Sequence, residues 1–578
     1  MKNLIRLSSP VLLTLVWGGS ALAQNMDGCQ ASVTVQPGDT LGTIAKRELG
    51  SSAAYTNIVA ATNRNAATDS SFATISNPNV IEPGQKLCVA IGMSPPRVVE
   101  RTKAPAPPLN SGNTTNITFL QINDVYEMTP VGGQGGVARL ATLDKELTAR
   151  NPNTFSVLSG DLFSPSALGT AKVDGERLAG KQMVAAMNAF DLDFATLGNH
   201  EFDIKEEQFL ERIKESETQW FVSNAFKKDG TPFDNISQNL IFSVTDNAGQ
   251  DVTVGMFGVM LDSNPADYVS YTDPFEAAGA HINVLKDNVD ILIGVTHLSM
   301  AQDMKLAGMY PDIDLIMGGH EHENAIEYVG GTPITKADAN ARTAYIIDLT
   351  YDHGSDSVTI KPTLKQVTAD IPDDPVVASV VNFWLEQAFE GFRAQGFEPT
   401  KRVTNVTDAL DGTEASVRNK TTVLTQIIAD SMLSNASGAD IALYNGGSIR
   451  IDDTIAPGPI TEYDVIRILP FGGAIITVDM TGSMLQRTLD QGVKNSGIGS
   501  YLHTAGVSGT LGNWSVNGTA LDSGGTYTVA INDFLLTGYE QNLEFLKAEG
   551  NPDINQKATH DDLRKALITE LQKKYGSE

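Results

Sequence analysis

The chain has 578 residues, 41% of them apolar, and a formal net charge of −28. That is material for about three or four domains and too apolar a composition for a disordered chain. The negative balance argues against a nucleic-acid-polymer binder built on basic patches, and it suits a phosphate-ester substrate only if bound cations reverse the sign locally.

Residues 1–23 carry Lys2 and Arg6, an apolar run from Val11 to Trp17, and then Ala21-Leu22-Ala23. This is the pattern of a secretory signal peptide cleaved after Ala23, so the mature protein is expected in the periplasm or outside the cell. No later apolar run is long enough to cross a bilayer, so no transmembrane segment is expected after signal removal. The two cysteines, Cys29 and Cys88, both lie in the first small unit. In an oxidising compartment they are expected to form a disulfide, with two buried thiols as the alternative. A metal site elsewhere must then use oxygen and nitrogen ligands.

From Ser32 the chain reads as a short strand, a Pro37-Gly38 turn, an Asp39 able to cap a helix over Leu41 to Leu49, a second helix around Ala54 to Thr62, and a second strand ending at Val89. The opening Val35-Gln36-Pro37-Gly38-Asp39-Thr40-Leu41 and the closing Asn77-Pro78-Asn79-Val80-Ile81-Glu82-Pro83-Gly84-Gln85-Lys86-Leu87 make this β-α-α-β unit, residues 30–91, resemble a LysM domain. The resemblance implies binding to glycan containing N-acetylglucosamine, most simply peptidoglycan. A LysM fold kept only for structure is the alternative. Residues 92–115, rich in proline, read as a semi-rigid tether.

Strand, loop and helix then alternate. Apolar runs from Ile117 to Asn123, Phe155 to Leu158, Phe190 to Leu197, Ile291 to Val295 and Ile313 to Met317 read as buried strands, with Val252 to Val259 in the same layer. They end at Asp124, at Gly160-Asp161, at Gly198-Asn199-His200-Glu201, at Thr296-His297 and at Gly319-His320-Glu321-His322. In α/β sheets ligands bind at the carboxyl ends of strands. Four of the eight histidines in the chain sit at these ends. Singly, each residue fits a turn, a cap or a satisfied core histidine equally well.

Taken in order, these motifs resemble the calcineurin-like metallophosphoesterases, and specifically the 5'-nucleotidase family that includes the bacterial periplasmic nucleotidase and UDP-sugar hydrolase. The resemblance implies an α/β fold: a four-layer β-sandwich metallophosphoesterase domain over 116–372, a linking helix within 373–400, and an α/β substrate-binding domain over 401–578. It also implies two divalent metal ions of the Zn, Mn or Fe type. Asp161 matches the bridging carboxylate, Asp124 and His322 match ligands of one ion, and Asn199, His297 and His320 match ligands of the other. A hydroxide between the ions would attack phosphorus in line. His200, oriented by Asp203, matches the group that stabilises the transition state or protonates the leaving oxygen. The chain departs from the family where Asp-x-His is usual, since Tyr126 follows Asp124-Val125. Either that ligand is lost to water or to Glu127, or Tyr126 ionises on a strongly acidic metal such as ferric iron.

Asp373 to Gln395 has helical apolar spacing. Beyond it, Ile441 to Tyr444 reads as a strand, followed by Asn445-Gly446-Gly447-Ser448-Ile449-Arg450. With Leu469-Pro470-Phe471-Gly472-Gly473 and Asp533-Phe534, this resembles the substrate-binding half of the same family. The match implies that Phe471 and Phe534 sandwich a base, while Arg418, Asn445, Gly447 and Arg450 line the substrate. Two ordinary core phenylalanines are the alternative. Glu540, in Thr537-Gly538-Tyr539-Glu540, stands where the family usually has Gly-Gly-Asp-Gly-Tyr.

The expectation is an exported phosphoesterase retained at peptidoglycan that hydrolyses nucleotides, principally 5'-mononucleotides, to nucleoside and phosphate. The rivals are a 2',3'-cyclic nucleotide phosphodiesterase, a UDP-sugar hydrolase, and a peptidoglycan-binding protein whose catalytic site has decayed.

Overall fold

The computed structural model describes residues 29, 32–49, 58–59, 62–63, 66, 69–75, 80–89 and 113–576 apart from 247 and 264. The signal segment, most of the tether and most of the second helix expected over Ala54 to Thr62 lie outside the described residues. The chain divides into two compact units, Met1–Pro95 and Pro96–Glu578.

In the first unit, β1 (Ser32–Thr34) pairs antiparallel with β2 (Lys86–Cys88), and α1 (Leu41–Leu49) packs Leu41, Ile44 and Ala45 against Val35 and Leu87. The helix is capped differently from the sequence expectation. Thr40 Oγ1 accepts the N–H of Thr43, while Asp39 accepts the N–H of Gln36 and so closes the Pro37-Gly38 turn. Cys29 and Cys88 form the disulfide, with Cα atoms 5.7 Å apart.

The first part of the second unit is built on two sheets. Along the chain, β3 (Thr114–Ile122), β4 (Thr154–Ser159) and β5 (Phe194–Thr196) are parallel neighbours in a seven-stranded sheet. Next, β6 (Asp251–Met260), β7 (Ile291–His297), β8 (Leu315–Gly318) and β9 (Thr332–Lys336) are parallel neighbours in a six-stranded sheet. β10 (Thr343–Asp352) then returns antiparallel beside β3. The residues expected in one layer are therefore shared between two.

The two-residue period of β3 decides what packs where. Phe119 joins Val157, Val254, Ile293 and Leu315 in the core between the sheets, and Leu120 joins Leu140 and Met183 of α2 (Val137–Arg150) and α3 (Lys181–Phe190) on the outer face. α4 (Pro274–Leu285) and α5 (Met300–Met309) cover the other sheet through Ile282 and Leu306. The result is four layers, helix, sheet, sheet, helix.

The run expected as a strand from Phe190 to Leu197 is shorter in the structure. Phe190 closes α3, left-handed Asp191 ends that helix, and only Phe194–Thr196 pairs as strand. α6 (Pro375–Ala394) begins where Asp374 accepts the N–H groups of Val376 and Val377 and Pro375 occupies the first turn. After it, β11 (Ile441–Asn445) lies inside a five-stranded sheet whose two faces carry separate cores, one around Leu424 and Ile428, the other around Leu485 and Leu489. Among the described residues, no helix is long and apolar enough to cross a membrane.

Candidate metal centre and substrate cleft

Both sheets send polar side chains to one place. Asp124, Asp161 and His297 follow or end β3, β4 and β7, all three are buried, and their donor atoms lie within 4.8 Å of one another. Nε2 of His297 is 3.2 Å from Oδ2 of Asp161 and 3.9 Å from Oδ1 of Asp124. Nε2 of His322 is 3.5 Å from the same Asp124 oxygen. The backbone N–H of His320 donates to Oδ2 of Asp124 at 2.9 Å, and its ring centre is 5.4 Å from that of His297.

These residues fit a pair of divalent cations. Two buried carboxylates this close repel each other unless positive charge lies between them. Nδ1 of His297 is 2.8 Å from the carbonyl oxygen of Ser159, an acceptor, so Nδ1 carries the proton and Nε2 presents its lone pair. Among the described residues, that Nε2 has no hydrogen-bond partner, and neither has the buried Oδ1 of Asn199. An orphaned nitrogen and an orphaned amide oxygen beside two carboxylates make a donor set of nitrogen and oxygen ligands. The local field is strongly negative. Burial alone would lower the affinity of His297 for a proton, but Asp161 and Asp124 outweigh it and push the imidazole up to about 9. His320 goes the other way, down to about 4, through burial and then the charge of His297.

The backbone is bent to achieve this. Asp124, Asp161 and His320 have φ of 53°, 62° and 80°, the left-handed region that residues other than glycine rarely enter. Two glycines are dictated by close approach. A Cβ on Gly198 would lie 2.2 Å from Oδ1 of Asp161, and one on Gly319 would lie 2.1 Å from the carbonyl oxygen of Ser159.

Asn199–Asp203 form a single 3-10 turn. Within it, Nδ1 of His200 meets Oδ2 of Asp203 at 2.6 Å, the pairing that the resemblance implied. Burial opposes charge on His200, yet Asp203 and then Asp161 overcome it, so its hold on a proton is strengthened.

Tyr126 sits among the ligands, its hydroxyl 2.8 Å from Asp161, 3.1 Å from Asp124 and 3.2 Å from Nε2 of His322. Burial, and then the charges of the two aspartates, hold its proton on. Glu127 is not part of this cluster. Its carboxylate accepts from Tyr463 at 3.1 Å and lies 3.5 Å from Arg467, so the expectation that it replaces the missing histidine is corrected.

Beside the centre is a cleft lined by Tyr126, His200, His322, Arg450 and Arg467 among others. Arg418 is held by an ion pair with Glu414. The Asn445 amide donates to Glu540 at 2.6 Å, and burial raises that carboxyl to about 6. Gly447 faces Gly499 so closely that a Cβ would lie 3.1 Å from its Cα. Phe471 is 52% exposed and Phe534 43%, so neither is a core residue.

Sequence reasoning missed two groups that hold this architecture. Glu201, fully buried, accepts from the backbone N–H groups of Asp161 and Leu162 at 3.0 and 2.5 Å and from Gly198 at 2.5 Å. Burial, then the charge of Asp161, raises its carboxyl to about 7. Lys336, at the end of β9 and fully buried, donates to the carbonyl oxygens of Leu298 and Gly319 at 2.5 and 2.7 Å and pairs with Asp303 at 3.0 Å and with Glu321. No local pattern signals either residue, because most of their partners are backbone groups or side chains distant in sequence.

Comparison with known proteins agrees with this geometry. The sequence model of the calcineurin-like phosphoesterase family matches residues 117–324, that of the 5'-nucleotidase C-terminal domain residues 402–547, and that of the LysM domain residues 33–50. The trifunctional nucleotide phosphoesterase protein YfkN of Bacillus subtilis (strain 168) is 27% identical over 522 residues, which cover 80% of this chain and 34% of that much longer protein. The chain thus spans about a third of that relative. The 5'-nucleotidase of Homo sapiens is 24% identical over 443 residues, 68% of this chain and 74% of its own length. In structure, the 5'-nucleotidase precursor from Thermus thermophilus shares the fold with a TM-score of 0.64 at 22% identity, covering 80% of this chain and 97% of that one.

Proposed function

We propose, for a chain that joins a calcineurin-like phosphoesterase domain to a 5'-nucleotidase C-terminal domain and is thereby a metal-dependent phosphoester hydrolase, that the substrate is a nucleotide, principally a 5'-mononucleotide. The observation that carries this reading is a cleft lined by His200, His322, Tyr126 and Arg450, with His200 held by Asp203 and with His322 and Tyr126 reaching Asp124 and Asp161 of the buried donor set.

Asp124, Asp161 and His322, with Asn199, His297 and His320, would hold two divalent ions. Such ions supply an activated water at neutral pH and neutralise charge on the phosphoryl oxygens. His200 keeps one ring nitrogen on Asp203, which leaves Nε2 to donate a proton to the leaving oxygen. Tyr126 stays neutral and donates to Asp161. Arg450 and Arg418 clamp the anionic part of the substrate, Asn445, Gly447 and Glu540 shape the floor beside it, and Phe471 with Phe534 stack on the base.

The matched LysM segment, the disulfide of the first unit and the amino-terminal sequence support export and retention on peptidoglycan. Retention of purified protein by isolated peptidoglycan sacculi, lost on deletion of residues 30–91, is the check on that part.

The test of the enzyme reading is phosphate release from AMP, cyclic 2',3'-AMP and UDP-glucose, with metal content measured on the same sample. Turnover of AMP is expected. Turnover confined to the cyclic or pyrophosphate substrates overturns the choice of 5'-mononucleotide. A second reading, broader action on several nucleotide esters, draws on the similarity to the trifunctional nucleotide phosphoesterase of Bacillus subtilis, and turnover of all three compounds would support it.

A further inference from the structure

Asp452 lines the cleft two residues beyond Arg450, in the loop after β11, and its backbone takes φ of 38°, in the left-handed region. A residue with a Cβ is held there only when its surroundings fix it, and such strain concentrates where a side chain has to be aimed. The Asp452 side chain is only 23% exposed and both its oxygens are engaged. Oδ2 meets Nδ1 of His322, and Oδ1 accepts the backbone N–H of Glu414 at 2.5 Å.

These partners belong to different parts of the site. His322 follows β8 in the phosphoesterase half and turns its other nitrogen, Nε2, toward Asp124 at 3.5 Å. Glu414 opens the short helix that ends at Arg418 and forms the ion pair with that arginine. Asp452 is therefore tied on one side to a residue placed to hold an ion, and on the other, through Glu414, to Arg418, while Arg450 lies two residues before it in the same loop. The adjacent Asp453 also crosses between the halves, to Arg342 at 3.4 Å, but it touches neither group.

We propose that Asp452 is a positioning residue that couples metal binding to substrate binding. Its carboxylate fixes the tautomer and the ring orientation of His322, keeping Nε2 free to hold an ion, and it ties that orientation to the segments carrying Arg450 and Arg418. Carboxylates that hold the second nitrogen of a metal-binding histidine commonly contribute about 10–100-fold in metal affinity. Because the same carboxylate also anchors the arginine segments, ion binding tightens substrate binding, and by linkage substrate tightens the ion by the same factor. This inference rests on the dimetal reading given above.

The test uses the purified full chain. Mn²⁺ binding is measured by calorimetry on metal-stripped protein, with and without the non-hydrolysable analogue adenosine 5'-(α,β-methylene)diphosphate, for the wild type, Asp452→Ala, Asp452→Asn and Asp453→Ala. Circular dichroism and melting of the stripped proteins establish that each is folded. In the wild type two ions bind, and the analogue tightens the weaker one. Asp452→Ala weakens one ion by about 10–100-fold and abolishes that tightening. Asp452→Asn, which can still accept from Nδ1–H, recovers part of both, and Asp453→Ala binds ions as the wild type does. If Asp452→Ala binds two ions with wild-type affinity, or keeps the tightening intact, the coupling is wrong while the dimetal reading stands. A folded wild-type protein that takes up no ion overturns both.

Discussion

Nδ1 of His200 lies 2.6 Å from Oδ2 of Asp203, three residues on in the same 3-10 turn, and Asp161 strengthens the proton affinity of that imidazole from the other side. A proton donor beside a donor set for cations, sharing no ligand with it, separates two experiments that usually confound each other. Replacement of His200 by Ala should leave both ions bound and lower turnover by about 10²–10⁴-fold, the usual contribution of a general acid. Metal content by mass spectrometry and kcat on AMP check it. A variant with wild-type kcat removes His200 from the reaction.

The pH dependence follows from the direction of the shift. Asp203 raises the proton affinity of His200, so the donating, charged form survives to higher pH and is lost as pH rises through that raised value. Replacement of Asp203 by Asn takes the support away. The alkaline limb of kcat should move to lower pH, while the acid limb stays where it is. A profile of kcat from about pH 5 to about pH 10 on both proteins is the measurement, and superimposable alkaline limbs would show that Asp203 does not act through His200.

Removal of metal should loosen the fold locally. Asp124 and Asp161 are both buried, and without cations their repulsion is offset only by neighbouring imidazoles such as His297. An ion present at about a hundred times its dissociation constant stabilises by about 2.7 kcal/mol, which for a domain of this size is roughly 5–10 °C in Tm. Melting curves with a chelator and after added Mn²⁺ should differ by that amount and in that direction. Coincident curves would argue against ion binding at these residues.

Gly198→Ala is the most economical way to disturb the centre without touching a ligand. The added methyl would lie 2.2 Å from Oδ1 of Asp161, and that carboxylate cannot retreat far because its own backbone N–H is held by Glu201. Overpacking of this kind costs about 1–3 kcal/mol. The expected result is a folded protein with reduced ion stoichiometry and little activity, read by metal analysis beside circular dichroism.

Phe471→Ala and Phe534→Ala address the two rings read as the base sandwich. Both rings are substantially exposed, so neither substitution opens a core cavity and Tm should hardly move. If the rings stack on a base, each loss is worth about 0.5–1.5 kcal/mol, a few-fold to roughly tenfold in KM for AMP, with no change for a phosphate ester lacking a base. Equal effects on AMP and on an aryl phosphate would deny the rings that role.

Much of the site was legible because its residues end apolar strands, and strand ends are where the period of the sequence breaks. Asp124, Asp161, His297 and His320 could be read that way, and the structure puts them together. The pairing of His200 with Asp203 was legible through the family resemblance, and a separation of three residues, one turn, lets the structure make it. The run at Phe190 misled because Phe190, Leu192 and Phe194 are all buried, and an apolar run gives no sign of the left-handed Asp191 that separates helix from strand. Asp39 misled for a similar reason. An Asp before a helix can cap it or close the preceding turn, and Thr40 was there to take the first role. Glu201, Lys336 and Asp452 could not be read at all, because their partners are backbone groups or side chains distant in sequence, and no local pattern encodes them.

The donors divide between the two sheets, with Asp124 and Asp161 on one and His297, His320 and His322 on the other. Neither sheet alone presents a complete set, so a nascent polypeptide has nothing for a cation to occupy until translation has passed residue 322 and the halves of the sandwich have docked. Ion capture is then a late step in folding, and a chain whose second sheet has not docked on the first has no complete site for its metal.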